Sequence, residues 1–271
     1  MAVATGCSVA VIICAAGSSK RMGGTKKEFL PLVAPGTSPG VLTGNSLSDE
    51  SSLPNRKALS VLGAAVAAFA SCPQIGPIVI TVACGEESAA RSSLPQELLT
   101  EDGRIIFVEG GLTRRSSVHN ALLRLELIKP LFVLIHDGAR PWIKRELIER
   151  IIEAAKIYRA AIPALPIIET PKELNNVKEG KDGATGFIKR HLRRDFIYTA
   201  QTPQGFAFPE ILRAHEKAGE MEKNEGLEYT DDAEVWGEFT GKVAVIPGDP
   251  QNRKITFPED LNYFSEVFQY D

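Results

Sequence analysis

The chain has 271 residues, of which 31 are Lys or Arg and 34 are Asp or Glu, so its formal net charge is −3. This acidic balance excludes a general nucleic-acid coat and a binder of anionic membranes, because both need a basic surface. Hydrophobic residues make up 44% of the chain, which excludes wholesale disorder. No apolar stretch approaches the roughly 18 residues of a membrane span. We therefore predict one globular domain over residues 1–271, without a nucleic-acid or membrane partner.

The cysteines favour a reducing compartment. They form no C-x-x-C pair, and Cys7, Cys14 and Cys84 lie in or beside apolar runs, so we expect buried free thiols. Residues 1–9 lack the basic stretch that begins a signal peptide, and we predict a cytoplasmic protein. The histidines are scattered, without the spacing of a zinc site.

Continuous apolar runs alternate with helical periodicity along the chain. Apolar residues recur at intervals of three and four over residues 58–69, 118–125 and 147–158. Runs that are apolar on both faces are typical of a parallel sheet covered by helices. We predict a three-layer α/β fold with a Rossmann-like, mostly parallel sheet, whose ligands bind beyond the carboxyl ends of the strands. The strand-like runs are residues 9–15, 78–83, 104–108, 131–136, 161–167 and 243–246.

Two segments interrupt the alternation. Residues 33–56 are rich in Ser, Gly and Pro and have no apolar period, which predicts a long inserted surface loop. Residues 169–195 are strongly charged and contain a turn-like stretch at 178–183. We expect the flanks of this turn to form the two strands of a protruding β-hairpin arm.

The first predicted strand runs into a loop of small residues. Such residues let the backbone approach an anion and direct its N–H groups at phosphate. The loop has neither G-x-x-x-x-G-K-[ST] nor G-x-G-x-x-G, which excludes a P-loop and the dinucleotide fingerprint. A flexible turn followed by solvated basic residues explains the pattern equally well. The candidate loop is Ala15, Ala16, Gly17, Ser18 and Ser19, with Lys20, Arg21, Lys26 and Lys27 behind it.

A second small-residue loop begins at Gly110 and opens the helix predicted over 118–125. Ser116 or Ser117 explains it as a simple helix cap. The functional interpretation places Gly111 and Ser117 against a base or a ribose.

A third constellation lies at the end of the 131–136 run. Asp137 follows that run and stands three residues before Arg140. A carboxylate at a strand end suits a metal–phosphate or ribose group. An Asp–Arg ion pair that staples a turn is the alternative, and the two interpretations are compatible.

Later segments are weak evidence singly, but the motifs in order are specific. From about residue 9 to residue 264 the chain resembles the 2-C-methyl-D-erythritol 4-phosphate cytidylyltransferase family and its relatives, the ribitol-5-phosphate cytidylyltransferases. The resemblance implies a CTP-dependent enzyme of non-mevalonate isoprenoid biosynthesis. It is carried by A-A-G-x-x-x-R-M with K-x-F, G-G-x-x-R-x-x-S-V, H-D-x-A-R-P, T-P-Q-x-F, T-D-D and N-x-K-I-T-x-P-E-D-L.

On the nucleotide side, the resemblance implies that Arg21 and Lys27 stabilise charge on the α-phosphate of CTP. The loop of residues 15–19, together with Gly111 and Ser117, would hold the triphosphate and the cytidine. Mg²⁺ would bind through the CTP phosphates near Asp137.

On the acceptor side, Asp137 and Arg140 would line the junction of the nucleotide and alcohol-phosphate sites. Residues 169–195 would be a dimerisation arm, and Arg194 would reach the active site of the partner in a homodimer. The alcohol phosphate would contact Thr170, Thr202, Thr230 and Lys254.

The implied chemistry agrees with these residue types. A phosphate monoester attacks the α-phosphorus of CTP and pyrophosphate leaves, and because the nucleophile is already anionic, no general base is needed. Fixed cations and Mg²⁺ bring a dianion to a tetra-anion and stabilise the transition state. The catalytic cations would be Arg21, Lys27, Arg194 and Lys254.

Two departures and three alternatives accompany this prediction. Ser19 stands where the family usually has a second glycine, and the spacing from Arg21 to Lys27 is slightly short. The alternatives are a ribitol-5-phosphate cytidylyltransferase, a nucleotide-binding module that has lost catalysis, and an NAD-dependent oxidoreductase. Retention of the cations argues against the second, and the missing glycine fingerprint disfavours the third.

Overall fold

The structure, a computed structural model, describes residues 9–32, 59–99, 103–180 and 183–262. The inserted loop predicted over residues 33–56 lies outside the described residues. Strands and helices alternate along most of the described chain, as the sequence predicts.

A single sheet of eight strands organises the molecule. Its strands run in the order β10-β5-β9-β4-β1-β2-β3, with β8 paired to β5. The pairs β1–β2, β1–β4, β2–β3 and β5–β10 are parallel, whereas β8 is antiparallel to β5, and β9 is antiparallel to both β4 and β5. The bounds are β1 Val9–Cys14, β2 Ile75–Val82, β3 Ile105–Glu109, β4 Phe132–Asp137, β5 Ala160–Pro166, β8 Tyr198–Ala200, β9 Gln204–Ala207 and β10 Ala244–Pro247.

Helices cover both faces of this sheet. Strand β1 shows the two layers directly, because Val11 belongs to one core cluster and Ile12 to the other. Helices α1, α2 and α4 cover the first face, and α3, α5 and α6 cover the second. The three-layer α/β prediction is confirmed. The bounds are α1 Val61–Ala70, α2 Glu87–Ser93, α3 Arg114–Glu126, α4 Arg145–Tyr158, α5 Phe208–Glu225 and α6 Asp232–Phe239.

The hairpin arm is confirmed as a structure. Strands β6, Lys172–Gly180, and β7, Gly183–His191, pair antiparallel as a separate two-stranded sheet with two register shifts. Large apolar side chains are exposed on or beside it. They are Ile168, Leu174, Val177, Phe187, Ile188, Phe196 and Tyr198.

The periodicity misses helices α2, α5 and α6 and strands β8 and β9, of which β9 lies deepest in the sheet. Strand β9 is four residues long and fully buried, and it lies antiparallel between β4 and β5. Its first residue, Gln204, donates from its side-chain amide to Asp231 (2.8 Å) and accepts from the Ala233 N–H (3.0 Å). Through these bonds β9 fixes the start of α6 against the sheet.

Two smaller expectations need correction. Thr113, rather than Ser116 or Ser117, caps α3, because its side chain accepts from the Ser116 N–H in a capping box. The described cysteines are free, and Cys72 is buried, but Cys84 is exposed in the turn after β2. Cys7 lies outside the described residues. Among the residues described, no helix is long and apolar enough to cross a membrane.

Candidate active site

A cavity of about 530 Å³ opens at the carboxyl ends of β1 and β4. This is the edge at which a mostly parallel sheet places its ligands. Most residues predicted for the nucleotide side line this cavity, whereas Ala15 is buried beside it. The predicted residues that meet here are Ala16, Gly17, Ser18, Ser19, Arg21, Lys27, Gly111, Ser117, Asp137 and Lys254.

The cations behind the first loop have different surroundings. Lys26 is engaged by the protein itself, since its ammonium donates to the Gly17 carbonyl (2.7 Å) and pairs with Glu86 (2.7 Å). Lys27 is largely buried, and its ammonium donates to the Ile255 carbonyl (2.8 Å). Burial lowers the pKa of Lys27, and the charge of Glu28 opposes that shift. Lys27 is therefore held in place at the cavity wall.

Ser19 has a φ of +48°, in the left-handed region that disfavours side chains. Its hydroxyl donates to the carboxylate of Glu28 (3.2 Å), a residue that is 4% exposed. This bond stabilises the loop in a conformation that glycine would adopt freely.

Close packing joins the two small-residue loops. A Cβ on Gly110 would lie 2.5 Å from the Ala16 Cβ and 2.8 Å from the Ser117 Oγ. The Gly111 N–H donates to the Ser117 hydroxyl (3.0 Å), which in turn donates to the Thr113 carbonyl (2.8 Å). The glycines are thus needed for the approach of the loops.

Asp137 is the electrostatic centre of the site. Its carboxylate lies 2.9 Å from the Lys254 ammonium, 3.4 Å from Nε of Arg140 and 3.7 Å from Nε of Arg114. Burial alone would raise the pKa of Asp137. The positive charges of Lys254, Arg114 and Arg140 outweigh burial, so the pKa lies well below its ordinary value. Asp137 is ionised and holds these cations at the end of β4.

The buried side chain of His136 is hydrogen-bonded to the residues around Asp137. Burial lowers the pKa of His136 to about 4, so its ring is neutral at pH 7. The ring Nε2–H donates to the Arg140 carbonyl (3.1 Å), and Nδ1 accepts from the Thr202 hydroxyl (3.1 Å). The Thr202 hydroxyl also accepts from the Asp137 N–H (3.1 Å). The chain of bonds fixes the backbone at Asp137 and uses both hydrogen-bonding roles of Thr202.

A smaller cavity of about 180 Å³ adjoins the first. It contains several residues that the resemblance assigns to the alcohol phosphate, and three residues, Arg114, Asp137 and Lys254, line both cavities. The two spaces therefore meet at the carboxylate of Asp137. The other residues that line the smaller cavity are Arg140, Ala200, Gln201, Thr202, Gln204, Thr230 and Asp231.

Two predicted residues lie away from both cavities of this chain. Arg194 is exposed after the arm, and Thr170 is exposed just before it. The Arg194 guanidinium has a long hydrogen bond to the Ile168 carbonyl (3.4 Å). Thr230 lines the smaller cavity, but its hydroxyl donates to Glu234 (2.8 Å).

Sequence reasoning missed Arg114, Asp232 and Glu28. Arg114 is the arginine of the G-G-x-x-R-x-x-S-V motif, and Asp232 is the last residue of T-D-D, so the motifs contain the signal. Glu28 lies inside K-x-F and lines the larger cavity. No local spacing predicts that Arg114 and Asp232, which are 118 residues apart, form an ion pair of 2.7 Å.

Known proteins similar to this chain belong to the family that its motifs indicate. The family model described as 2-C-methyl-D-erythritol 4-phosphate cytidylyltransferase matches residues 52–268. A bifunctional enzyme IspD/IspF of Chelativorans sp. is 40% identical over 183 residues, which are 67% of this chain and 41% of that protein. A bifunctional enzyme IspD/IspF of Brucella abortus is 33% identical over 214 residues, 78% of this chain and 50% of that protein. The chain spans about half the length of the curated relatives it matches.

Solved structures are similar to this chain over most of its length. The 4-diphosphocytidyl-2C-methyl-D-erythritol synthase of Anaerococcus prevotii is 25% identical, with a TM-score of 0.71 and coverage of 96% of each chain. The 2-C-methyl-D-erythritol 4-phosphate cytidylyltransferase of Thermus thermophilus is 27% identical, with a TM-score of 0.64 and coverage of 95% of this chain and 97% of that one. The fold and the ordered motifs therefore lead to the same group of proteins.

Proposed function

The chain belongs to the 2-C-methyl-D-erythritol 4-phosphate cytidylyltransferase family, and we propose that it transfers the cytidylyl group of CTP to 2-C-methyl-D-erythritol 4-phosphate. The products are 4-diphosphocytidyl-2-C-methyl-D-erythritol and pyrophosphate, in non-mevalonate isoprenoid biosynthesis. The observation that carries this proposal is the pair of cavities that meet at Asp137. The larger holds the nucleotide, the smaller holds the polyol phosphate, and their junction is where the new bond forms.

Each cavity would hold one of the two substrates of the reaction. An oxygen of the polyol phosphate attacks the α-phosphorus of CTP, the bond to the bridging oxygen of the β-phosphate breaks, and pyrophosphate leaves with that electron pair. The attacking oxygen is already anionic, so the site needs no general base. This agrees with a neutral, buried His136 whose nitrogens are both engaged.

Fixed cations supply the stabilisation that this reaction needs. Lys27 and Arg21 line the larger cavity and would neutralise charge that develops around the α-phosphate. Lys254 stands at the junction, where both substrates bring negative charge. Since the protein holds these groups before the substrates arrive, little reorganisation accompanies the reaction.

Mg²⁺ would bind chiefly through the phosphates of CTP. The carboxylate of Asp137 is surrounded by three cations and is a poor metal ligand. Glu28 fits better, because it lines the larger cavity and its partner is the Ser19 hydroxyl. Among the described residues, no cluster of three His, Cys, Asp or Glu side chains forms a metal site of its own. The ion would neutralise part of the triphosphate charge.

A homodimer completes the proposal. The exposed apolar side chains of the arm, such as Phe187 and Ile188, are suited to burial against a second copy. Arg194 does not line the cavities of its own chain and would serve the partner's site, together with Thr170. Residues 1–271 would form one nucleotidyltransferase domain, and the free thiols suit a cytoplasmic enzyme.

The test is release of pyrophosphate from each nucleoside triphosphate in the presence of each polyol phosphate. We expect release with CTP and 2-C-methyl-D-erythritol 4-phosphate, lowered about 10²–10³-fold by Lys27→Ala. Faster release with ribitol 5-phosphate would assign the chain to the alternative acceptor. Binding of CTP without release under any pairing would identify a silent nucleotide-binding module.

A further inference from the structure

Arg114 occupies a position that the proposed mechanism does not yet use. It is the first residue of α3 and lines both cavities at their junction. Its side chain is 28% exposed, so the guanidinium is largely desolvated yet open to the site. A positive charge at this position meets both substrates where they react.

The buried carboxylate of Asp232 holds the Arg114 guanidinium in place. Arg114 Nη2 donates to Asp232 Oδ2 (2.7 Å), and Asp232 is the first residue of α6 and fully buried. The other carboxylate oxygen lies 3.2 Å from Nε2 of His215, a fully buried residue of α5. Burial alone would raise the pKa of Asp232, but Arg114 and His215 outweigh it and hold the pKa at about 2.

Among the described residues that are cations of the smaller cavity, Arg114 keeps the most hydrogen-bond donors unused, because a guanidinium has five N–H groups and an ammonium three. Arg140 donates to the Asn252 carbonyl (2.8 Å), and Lys254 lies 2.9 Å from Asp137. Among the described residues, the Asp232 carboxylate is the one acceptor within hydrogen-bond distance of the Arg114 guanidinium. Its Nε is 3.7 Å from Asp137, which is beyond a hydrogen bond. Further N–H groups of this guanidinium therefore remain for a ligand.

We propose that Arg114 binds the phosphate of the polyol phosphate at the junction of the two cavities, and that Asp232, backed by His215, is the positioning residue that holds its guanidinium there. A phosphate dianion is the natural partner of a planar guanidinium with donors to spare. The inference rests on the proposed function, because it takes the smaller cavity as the acceptor site.

The neighbouring residue provides a matched control. Arg115 is also an arginine in the first turn of α3, and its Nε pairs with Glu222 (2.6 Å), an acidic residue of α5. It is buried and lines neither cavity. A purely structural role for the Arg114–Asp232 pair predicts that Arg114 and Arg115 variants behave alike.

The experiment measures KM for each substrate and kcat in the full chain. We expect Arg114→Lys to raise KM for the polyol phosphate at least about tenfold while KM for CTP changes less than about twofold. Lysine keeps the charge but cannot bond Asp232 and a phosphate together through one rigid group. Arg115→Lys should lower the melting temperature without moving either KM.

A double-mutant cycle tests the positioning role. In the wild-type background, Asp232→Asn should raise KM for the polyol phosphate. Added to Arg114→Lys, it should have no further effect on that KM, because Asp232 acts through the arginine. If Arg114→Lys does not fold, Arg114→Gln replaces it in the test, and it should raise KM for the polyol phosphate at least as much.

Three results would overturn the inference: unchanged KM values in Arg114→Lys, equal shifts in both KM values, or additive effects in the cycle. Absence of pyrophosphate release by the wild-type protein is a different failure. It would remove the proposed function, and the inference with it.

Discussion

Gly17 and Gly110 lie in the two small-residue loops of the larger cavity, but their surroundings differ. A Cβ on Gly17 would meet no described atom within 4 Å, although the residue lines the cavity. A Cβ on Gly110 would lie 2.5 Å from the Ala16 Cβ. Open space at Gly17 would admit the nucleotide in the proposed function, whereas the tight contact at Gly110 is part of the fold.

We predict that Gly17→Ala leaves the melting temperature unchanged but raises KM for CTP about tenfold or more, because the methyl group occupies the path of the triphosphate backbone contact. Gly110→Ala should lower stability by about 1–3 kcal/mol, as overpacking does, and weaken CTP binding as well. Thermal unfolding and steady-state kinetics of the two variants check this. Equal losses of stability in both variants would show that Gly17 is structural.

His136 gives the protein a defined dependence on pH. Because burial lowers its folded pKa to about 4 from an ordinary value of 6.5, the unfolded chain binds a proton at a higher pH than the folded one. The neutral ring contributes fully to the free energy of unfolding above pH 6.5, and this contribution is lost as pH falls through 6.5 towards 4. The difference between these two pKa values corresponds to about 3 kcal/mol of unfolding free energy.

We predict that His136→Gln flattens the fall in unfolding free energy between pH 7 and pH 4, whatever it does to stability at pH 7. Denaturant unfolding at several pH values measures the slope. His191→Gln, an exposed position on the arm, is the control and should keep the wild-type slope. Asp137 and Asp232 change the unfolding free energy mainly below this window, because their contributions are lost only as pH falls through the ordinary pKa of 3.8 towards their lower folded values. A wild-type slope in His136→Gln would contradict the assignment.

In the proposed homodimer, the arm is the element whose role reaches beyond one chain. We predict that inactive Arg194→Ala and inactive Lys27→Ala regain activity when their subunits are mixed and exchanged. In such a dimer one site carries both lesions and the other carries neither. Activity of the exchanged mixture, measured against each variant alone, tests whether Arg194 acts in the partner's site.

A second mixture controls for this result. Lys27 and Lys254 line one cavity of one chain, so a mixed dimer of Lys27→Ala and Lys254→Ala carries one lesion in every site and should stay inactive. If the Arg194→Ala mixture also stays inactive although exchange is demonstrated, Arg194 acts within its own chain.

Elements with a strong period could be predicted from the sequence. The run at residues 9–15 is apolar on both faces, and β1, Val9–Cys14, is buried between two helix layers. Strand β9 could not be predicted, because its four residues begin with Gln204, and a polar residue hides a short buried strand. The capping residue Thr113 was missed since Ser116 and Ser117 are equally good caps by residue type.

Some contacts of the site could likewise be predicted from local spacing, and others could not. Asp137 and Arg140 are three residues apart, so their ion pair is predictable from spacing. The bonds from Lys27 to Ile255 and from Arg114 to Asp232 join residues more than 100 positions apart. Such contacts depend on how helices pack, and no local pattern contains them.

Across the whole molecule, an acidic chain concentrates positive charge at one edge of its sheet. Its net charge is −3, yet Arg21, Lys27, Arg114 and Lys254 all line one cavity. The carboxylates of Asp137 and Asp232 stabilise two of these cations, Lys254 and Arg114, before any substrate binds. In the proposed reaction two anionic substrates meet at this edge, and the polyol phosphate attacks the α-phosphorus of CTP directly.

The most direct test of that claim follows the α-phosphorus of CTP. CTP labelled with radioactive phosphorus at the α position is incubated with the protein, Mg²⁺ and 2-C-methyl-D-erythritol 4-phosphate, and the products are separated. Attack at the α-phosphorus predicts that all transferred label appears in the diphosphocytidyl polyol and that the pyrophosphate released is unlabelled. Label in the pyrophosphate, or label that stays in CTP while the substrates are bound, would contradict transfer by attack at the α-phosphorus.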